Sequence, residues 1–99
     1  MIIIAMQSFP IDQTKEMAKR FAEQPELPSF ITRKGPYFHS VLGGGIKSVN
    51  LYEFDQTRMA EALNAVNARM VSYYGVPGMT YSVDLWSEVT EALKLIGLG

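Results

Sequence analysis

The sequence predicts an α+β fold: a four-stranded antiparallel sheet with two helices on one face and an extra helix at the C-terminus. Three observations carry that prediction. Residues 56–74 place apolar side chains three and four positions apart, the period of a half-buried helix. Residues 46–54 and 79–86 alternate in character along the chain, the period of a strand. With their neighbours, these segments run strand, helix, strand, strand, helix, strand.

The elements follow in order. Residues 1–6 form a short apolar run rich in isoleucine, which suits a central strand buried on both faces. Ser8, Phe9, Pro10 and Ile11 make a loop, and Asp12 is placed to cap the helix that follows. In that helix, residues 13–24, Met17, Ala18, Phe21 and Ala22 share one face, and Pro25 and Pro28 end it. Residues 30–42 are extended but contain Gly35-Pro36. A proline removes a ladder donor, so this strand lies at a sheet edge or carries a bulge.

Gly43, Gly44 and Gly45 turn the chain into the strand at 46–54. Asp55 caps the long helix, in which Met59, Ala62, Leu63, Val66, Met70 and Tyr73 form the apolar stripe. That helix spans about 28 Å, enough to cover a strand from end to end. Gly75 ends it, and Val76, Pro77 and Gly78 lead into the last strand. A final helix starts near Ser87, with Val89, Leu93 and Ile96 as its stripe. The first six elements are the ferredoxin-like βαββαβ pattern, which puts the second and fourth strands at the edges.

With 99 residues, the default is a single domain over 1–99. Nearly half the residues are hydrophobic and 19% are charged, a composition that excludes a disordered chain. The net charge of −1 argues against a nucleic-acid binder. No cysteine is present, which excludes disulfides, thiolate metal sites and thiol nucleophiles and fits a cytoplasmic protein. No segment approaches a membrane span, and residues 1–8 read as a strand and not as a signal peptide.

Both crossover helices of this pattern lie on one side of the sheet. The apolar set Val49, Leu51, Val83 and Leu85 is expected to face them. Asn50, Tyr52, Phe54, Ser82, Asp84 and Trp86 are then expected on the bare side, a face of roughly 400 Å². A face of that size and character needs a cover, and the simplest is a second copy packed sheet to sheet.

At this point the chain resembles the dimeric α+β-barrel superfamily, which includes the antibiotic-biosynthesis-monooxygenase-like and stress-responsive barrel proteins. The resemblance covers residues 1–86 in element order and length. Tyr73-Tyr74-Gly75-Val76-Pro77-Gly78-Met79-Thr80-Tyr81, running into Trp86 and the helix around Glu91, Ala92 and Leu93, is similar to a bacterial family of that kind. The resemblance implies a homodimer with a cavity between the sheets or beside each one, and it implies no reaction. Some oxygenases of the superfamily work without a cofactor. Haem-degrading relatives use an asparagine, a tryptophan and a histidine, with the histidine on the second helix. This chain has Asn50, Trp86 and His39 but no histidine on that helix, so no catalytic residue carries over and no cofactor is implied.

The candidate ligand-binding residues are Asn50, Tyr52, Ser82, Asp84 and Trp86. Two weaker catalytic candidates are His39 and Asp84. If Phe38 and Leu42 face the helices, His39 faces the cleft with Tyr37 and Val41, as a general base or ligand group. Against this, a single histidine without a placed partner reads first as an exposed or hydrogen-bonded residue of an edge strand. A carboxylate beside an indole in a closing cleft can accept or donate a proton, whereas the plainer reading of Asp84 is a strand-edge carboxylate in water or paired with an arginine or lysine. Asn50 and Tyr52 suit either a pocket or hydrogen bonds across a dimer. The three glycines read as a hairpin, not a phosphate loop, and Lys34-Gly35-Pro36-Tyr37-Phe38 lacks the aromatic that an RNA-recognition strand needs. Met59 and Met70 are core positions, and no residue cluster supports a metal.

Two functions remain open. One is a small dimeric barrel that binds a partly aromatic or carbonyl-containing molecule in a sheet-face cleft, extending to cofactor-independent oxygenase-like chemistry. The alternative is a non-enzymatic regulatory or interaction module whose sheet face is a packed dimer interface. A cavity of about 300 Å³ or more lined by the five candidates is what separates them.

Overall fold

The computed structural model describes residues 1–98. Strands β1 (Ile2–Phe9), β2 (Thr32–Val41), β3 (Gly45–Glu53) and β4 (Thr80–Trp86) form one antiparallel sheet in the order β2-β3-β1-β4. Helix α1 (Thr14–Ala22) joins β1 to β2, α2 (Met59–Val71) joins β3 to β4, and α3 (Val89–Leu95) follows β4. This is the ferredoxin-like βαββαβ arrangement with one added helix, and its edge strands are β2 and β4 as the element order predicts.

Local chemistry explains most boundaries. The Asp55 carboxylate accepts from Thr57 N at 2.9 Å and Thr57 Oγ1 at 2.7 Å, capping a 3₁₀ turn that runs into α2. Asp12 makes no such cap. A 3₁₀ turn over Ile11–Gln13 precedes α1, and Thr14 Oγ1 closes it by donating to Ile11 O at 2.6 Å. In β2 the register slips between Lys34 and Tyr37, so the proline sits in both an edge strand and a bulge. Gly35 adopts φ +105°, and a Cβ there would come within 2.8 Å of Val49 O. This close approach of β2 to β3 is open to glycine alone.

The two helices share the face of the sheet that carries Ile3, Ala5, Gln7 and Phe9 of β1. Register fixes what stands beside them. Ile3 is opposite Tyr52, Ala5 opposite Asn50 and Gln7 opposite Ser48, so the even-numbered residues of β3 also face the helices. Tyr52 and Phe54 are core residues with Val66 and Met70 of α2. The expected orientation of β3 is therefore reversed: Val49 and Leu51 face the bare side, and Asn50, Tyr52 and Phe54 face inward. On β4 the expectation holds, since Val83 and Leu85 are opposite Ala5 and Ile3. Leu85 stays exposed because β4 is an edge strand.

The bare face carries Ile2, Ile4 and Met6 of β1, Val49 and Leu51 of β3, Tyr37 of β2 and Trp86 of β4. Helix α3 is closed by a reciprocal Glu88–Glu91 capping box. Its expected stripe is covered only at Leu93, which is half-buried: Val89 is 70% exposed, and Ile96 is open as well. Among the described residues, no helix is long and apolar enough to cross a membrane.

The inward parity has a direct consequence. Ile3→Ala, at a fully buried position, is expected to lower unfolding free energy by about 2–5 kcal/mol. Ile4→Ala, on the bare face, is expected to cost the monomer clearly less. Urea denaturation of the two variants at low protein concentration checks the difference.

Candidate functional site

Helix α1 stands off the sheet. Of its nine residues Met17 alone is buried, and a cavity of about 280 Å³ remains between this helix and strands β1, β3 and β2. Apart from Thr14, its walls are apolar, the largest being Phe9, Met17, Phe21, Pro36 and Phe38. The bulge in β2 supplies the last two, because the slip turns Phe38 onto the helix side opposite Ser48. The floor is polar and comes from the central strands as Gln7, Ser48 and Asn50, all buried.

Polar groups in such a place need partners. Ser48 Oγ donates to Gln7 Oε1 at 3.1 Å, and Gln7 Nε2 reaches Met70 Sδ at 3.6 Å. Asn50 differs, since its Oδ1 is buried and has no hydrogen-bond partner. A buried amide with an unmet acceptor, on the floor of a cavity with mainly apolar walls, is the feature of this molecule that points to a polar group on a ligand. Volume sets the scale of what fits: small-molecule pockets begin at about 300 Å³, so the space admits one ring with a substituent or two.

The side chains around the floor are tuned towards neutrality. Burial pushes the hydroxyls of Tyr52 and Tyr73 above the ordinary tyrosine range, although the Arg69 guanidinium beside them pulls the other way. Both are neutral donors at physiological pH. None of the residues lining the cavity is an acid, a base or a histidine.

The five candidate ligand-binding residues do not share a surface. Asn50 lines this cavity, and Tyr52 lies in the core beneath α2. Ser82, Asp84 and Trp86 are exposed on the opposite face of the sheet, opposite Met6, Ile4 and Ile2. The premise that all five face one way fails because β3 is turned over relative to the expectation while β4 is not. His39 is exposed on the bare face with Tyr37, opposite Lys47. It and Asp84 lie on opposite edge strands, about 14 Å apart across the sheet and about 13 Å along it. One small molecule cannot touch both within a single chain.

Ser82 borders a shallow depression of about 330 Å³ on the bare face, beside Met6, Ser8, Lys47 and Thr80. It is open and flanked by a flexible lysine. The residues that sequence reasoning missed are Gln7, Phe9, Met17, Phe21 and Phe38. The available signal was Gln7, which has the same parity in β1 as Ile3, Ala5 and Phe9 and so announces a polar patch on the buried face. Among the described residues, no group of three acidic or histidine side chains is placed to hold a metal.

No family model and no curated protein matches this chain. It is similar to a solved tripeptidase from Staphylococcus aureus subsp. aureus Mu50, at 11% identity and a TM-score of 0.44. The match takes in 99% of this chain and 35% of that one, so the chain spans about a third of that protein's length.

Removing the unmet acceptor should stabilise the chain. Asn50→Leu, which keeps the branching and has the adjoining cavity to take its extra bulk, is expected to raise unfolding free energy by about 1–3 kcal/mol. Chemical denaturation measures it, and a loss of stability would mean that the amide is already satisfied.

Proposed function

We propose that this chain binds a small, mostly apolar molecule in the cavity beneath α1, with a polar group of the ligand hydrogen-bonding to the Asn50 amide on its floor. The observation that carries this reading is the buried Asn50 amide, its oxygen without a partner, on the polar floor of a cavity whose walls are mainly apolar. Phe9, Phe21 and Phe38 supply faces on which an aromatic ring packs. The lining offers positioning but no proton-transfer group. The site therefore reads as a binding site, and oxygenase-like chemistry would have to draw its base from the substrate or solvent.

The reading includes a homodimer through the bare sheet face, the arrangement of the dimeric α+β-barrel proteins. Support comes from the apolar residues on that face and from the exposed Val89 and Ile96 of α3. Ser82, Asp84 and Trp86 then become partner contacts, and α3 reaches across to the second copy. Because the cavity is on the other side of the sheet, a partner leaves it intact. Ligand binding and a packed interface are thus compatible, and a non-enzymatic ligand-sensing module fits both. A cytoplasmic setting accords with the absence of cysteine.

A matched pair of probes tests the binding half. 4-Methylphenol is expected to bind about two- to ten-fold more tightly than toluene, the worth of one hydrogen bond. Asn50→Leu is expected to erase that difference, and Ala18→Phe, which plugs the cavity, to abolish binding of both. Calorimetric titration reads all three, and equal affinities for the two probes in the unmodified protein would sink the proposed role of Asn50. Sedimentation tests the dimer: Trp86→Asp should give a monomer that still binds 4-methylphenol. An unmodified chain that sediments as a monomer at micromolar concentration would remove that half of the reading.

A further inference from the structure

A second site lies past the C-terminal end of α1. Arg69 of α2 is only 6% exposed, yet among the described residues no carboxylate lies within ion-pair distance of it. Its Nη1 donates to Pro25 O, and its buried Nε has no partner. The Tyr52 hydroxyl beside it is a neutral group that cannot balance the charge. A buried guanidinium without a counter-ion is costly, and a guanidinium fork is matched to carboxylate and phosphate oxygens.

Arg69 is also part of the wall of an open groove of about 560 Å³, with Gln24, Pro25, Glu26 and Arg33. Arg33 belongs to β2, on the helix side opposite Tyr52, and its guanidinium lies 5.5 Å over the Phe21 ring. It too has no carboxylate partner among the described residues, in contrast to Arg20 and Arg58, which pair with Glu16 and Glu61. Glu26 is the acid that lines the groove, and it pairs with neither arginine.

We infer that this groove takes a small oxyanion, a carboxylate or phosphate group, held between Arg33 and Arg69. The anion supplies the counter-charge that the fold leaves out, and Arg33 closes over it from the solvent side. Phe21 lines both this groove and the cavity beneath α1. The anion site nevertheless stands on its own observations and does not require the cavity to be occupied.

Nitrogen-15 spectra of the arginine Nε–H groups read the site directly, since the chain has four arginines. Inorganic phosphate and succinate are titrated separately into the full chain, with chloride holding ionic strength constant. The expected result is a saturable shift of the Arg69 and Arg33 signals in at least one titration, with Arg20 and Arg58 unmoved. The anion that saturates at lower concentration identifies the class. Arg33→Gln, at an exposed position that leaves the core intact, should weaken binding about ten-fold or more. Three outcomes overturn the inference: linear shifts shared by all four arginines, unchanged binding in Arg33→Gln, or movement of the Arg69 signal in Glu26→Gln without added anion. The last would mean that Glu26 itself is the counter-ion.

Discussion

The period of two along β3 is the constraint on which the rest depends. Tyr52 and Phe54 are large, and burying an aromatic side chain removes about 150–250 Å² from water. They therefore take the helix side, where α2 covers them. Alternation then carries Asn50 and Ser48 to the same side, whatever their polarity. A strand cannot bury its aromatics at one end and expose its amides at the other without a bulge, and the irregularity in this sheet is in β2, not β3. The polar floor under α1 is thus the far end of the strand that anchors the core.

The fold handles this burial unevenly. Gln7 and Ser48 satisfy each other across neighbouring strands. Asn50 stands beside Gly35, where the β2 backbone comes too close for any side chain, and it is left with an open acceptor. Helix α1 lies above without filling the space. Over α2 the same face is packed tightly by Ala62, Val66 and Met70. One half of the helix layer therefore supplies stability and the other half supplies room. Arg69 repeats the theme at the edge of the packed half, as a buried polar group whose complement the chain does not provide.

Much of the architecture was legible in the sequence. The stripe of α2, the cap at Asp55 and the proline in β2 each have a local cause that needs no tertiary information. The orientation of β3 did not. Val49 and Leu51 are β-branched or aliphatic, Tyr52 and Phe54 are aromatic, and the two sets have opposite parity, so local hydrophobicity points both ways. The deciding residue was in β1, where Ile2, Ile3 and Ile4 give no parity but Gln7 does, and its meaning appears once it is paired with Ser48. The candidate site was legible to a lesser degree: Asn50 was singled out, but for the wrong face. The stripe on α3 was visible as a stripe, while what covers it is not encoded within the helix.

The central claim is that the ligand-receptive surface is the helix side of the sheet and not the bare side. Methionine methyl groups report on it, because Met17 lines the cavity and Met6 sits on the bare face. Carbon-13 spectra of methyl-labelled methionines, recorded as 4-methylphenol is added, should show a saturable shift of the Met17 methyl with Met6 unchanged. A saturable shift of Met6 with Met17 unmoved would contradict the account.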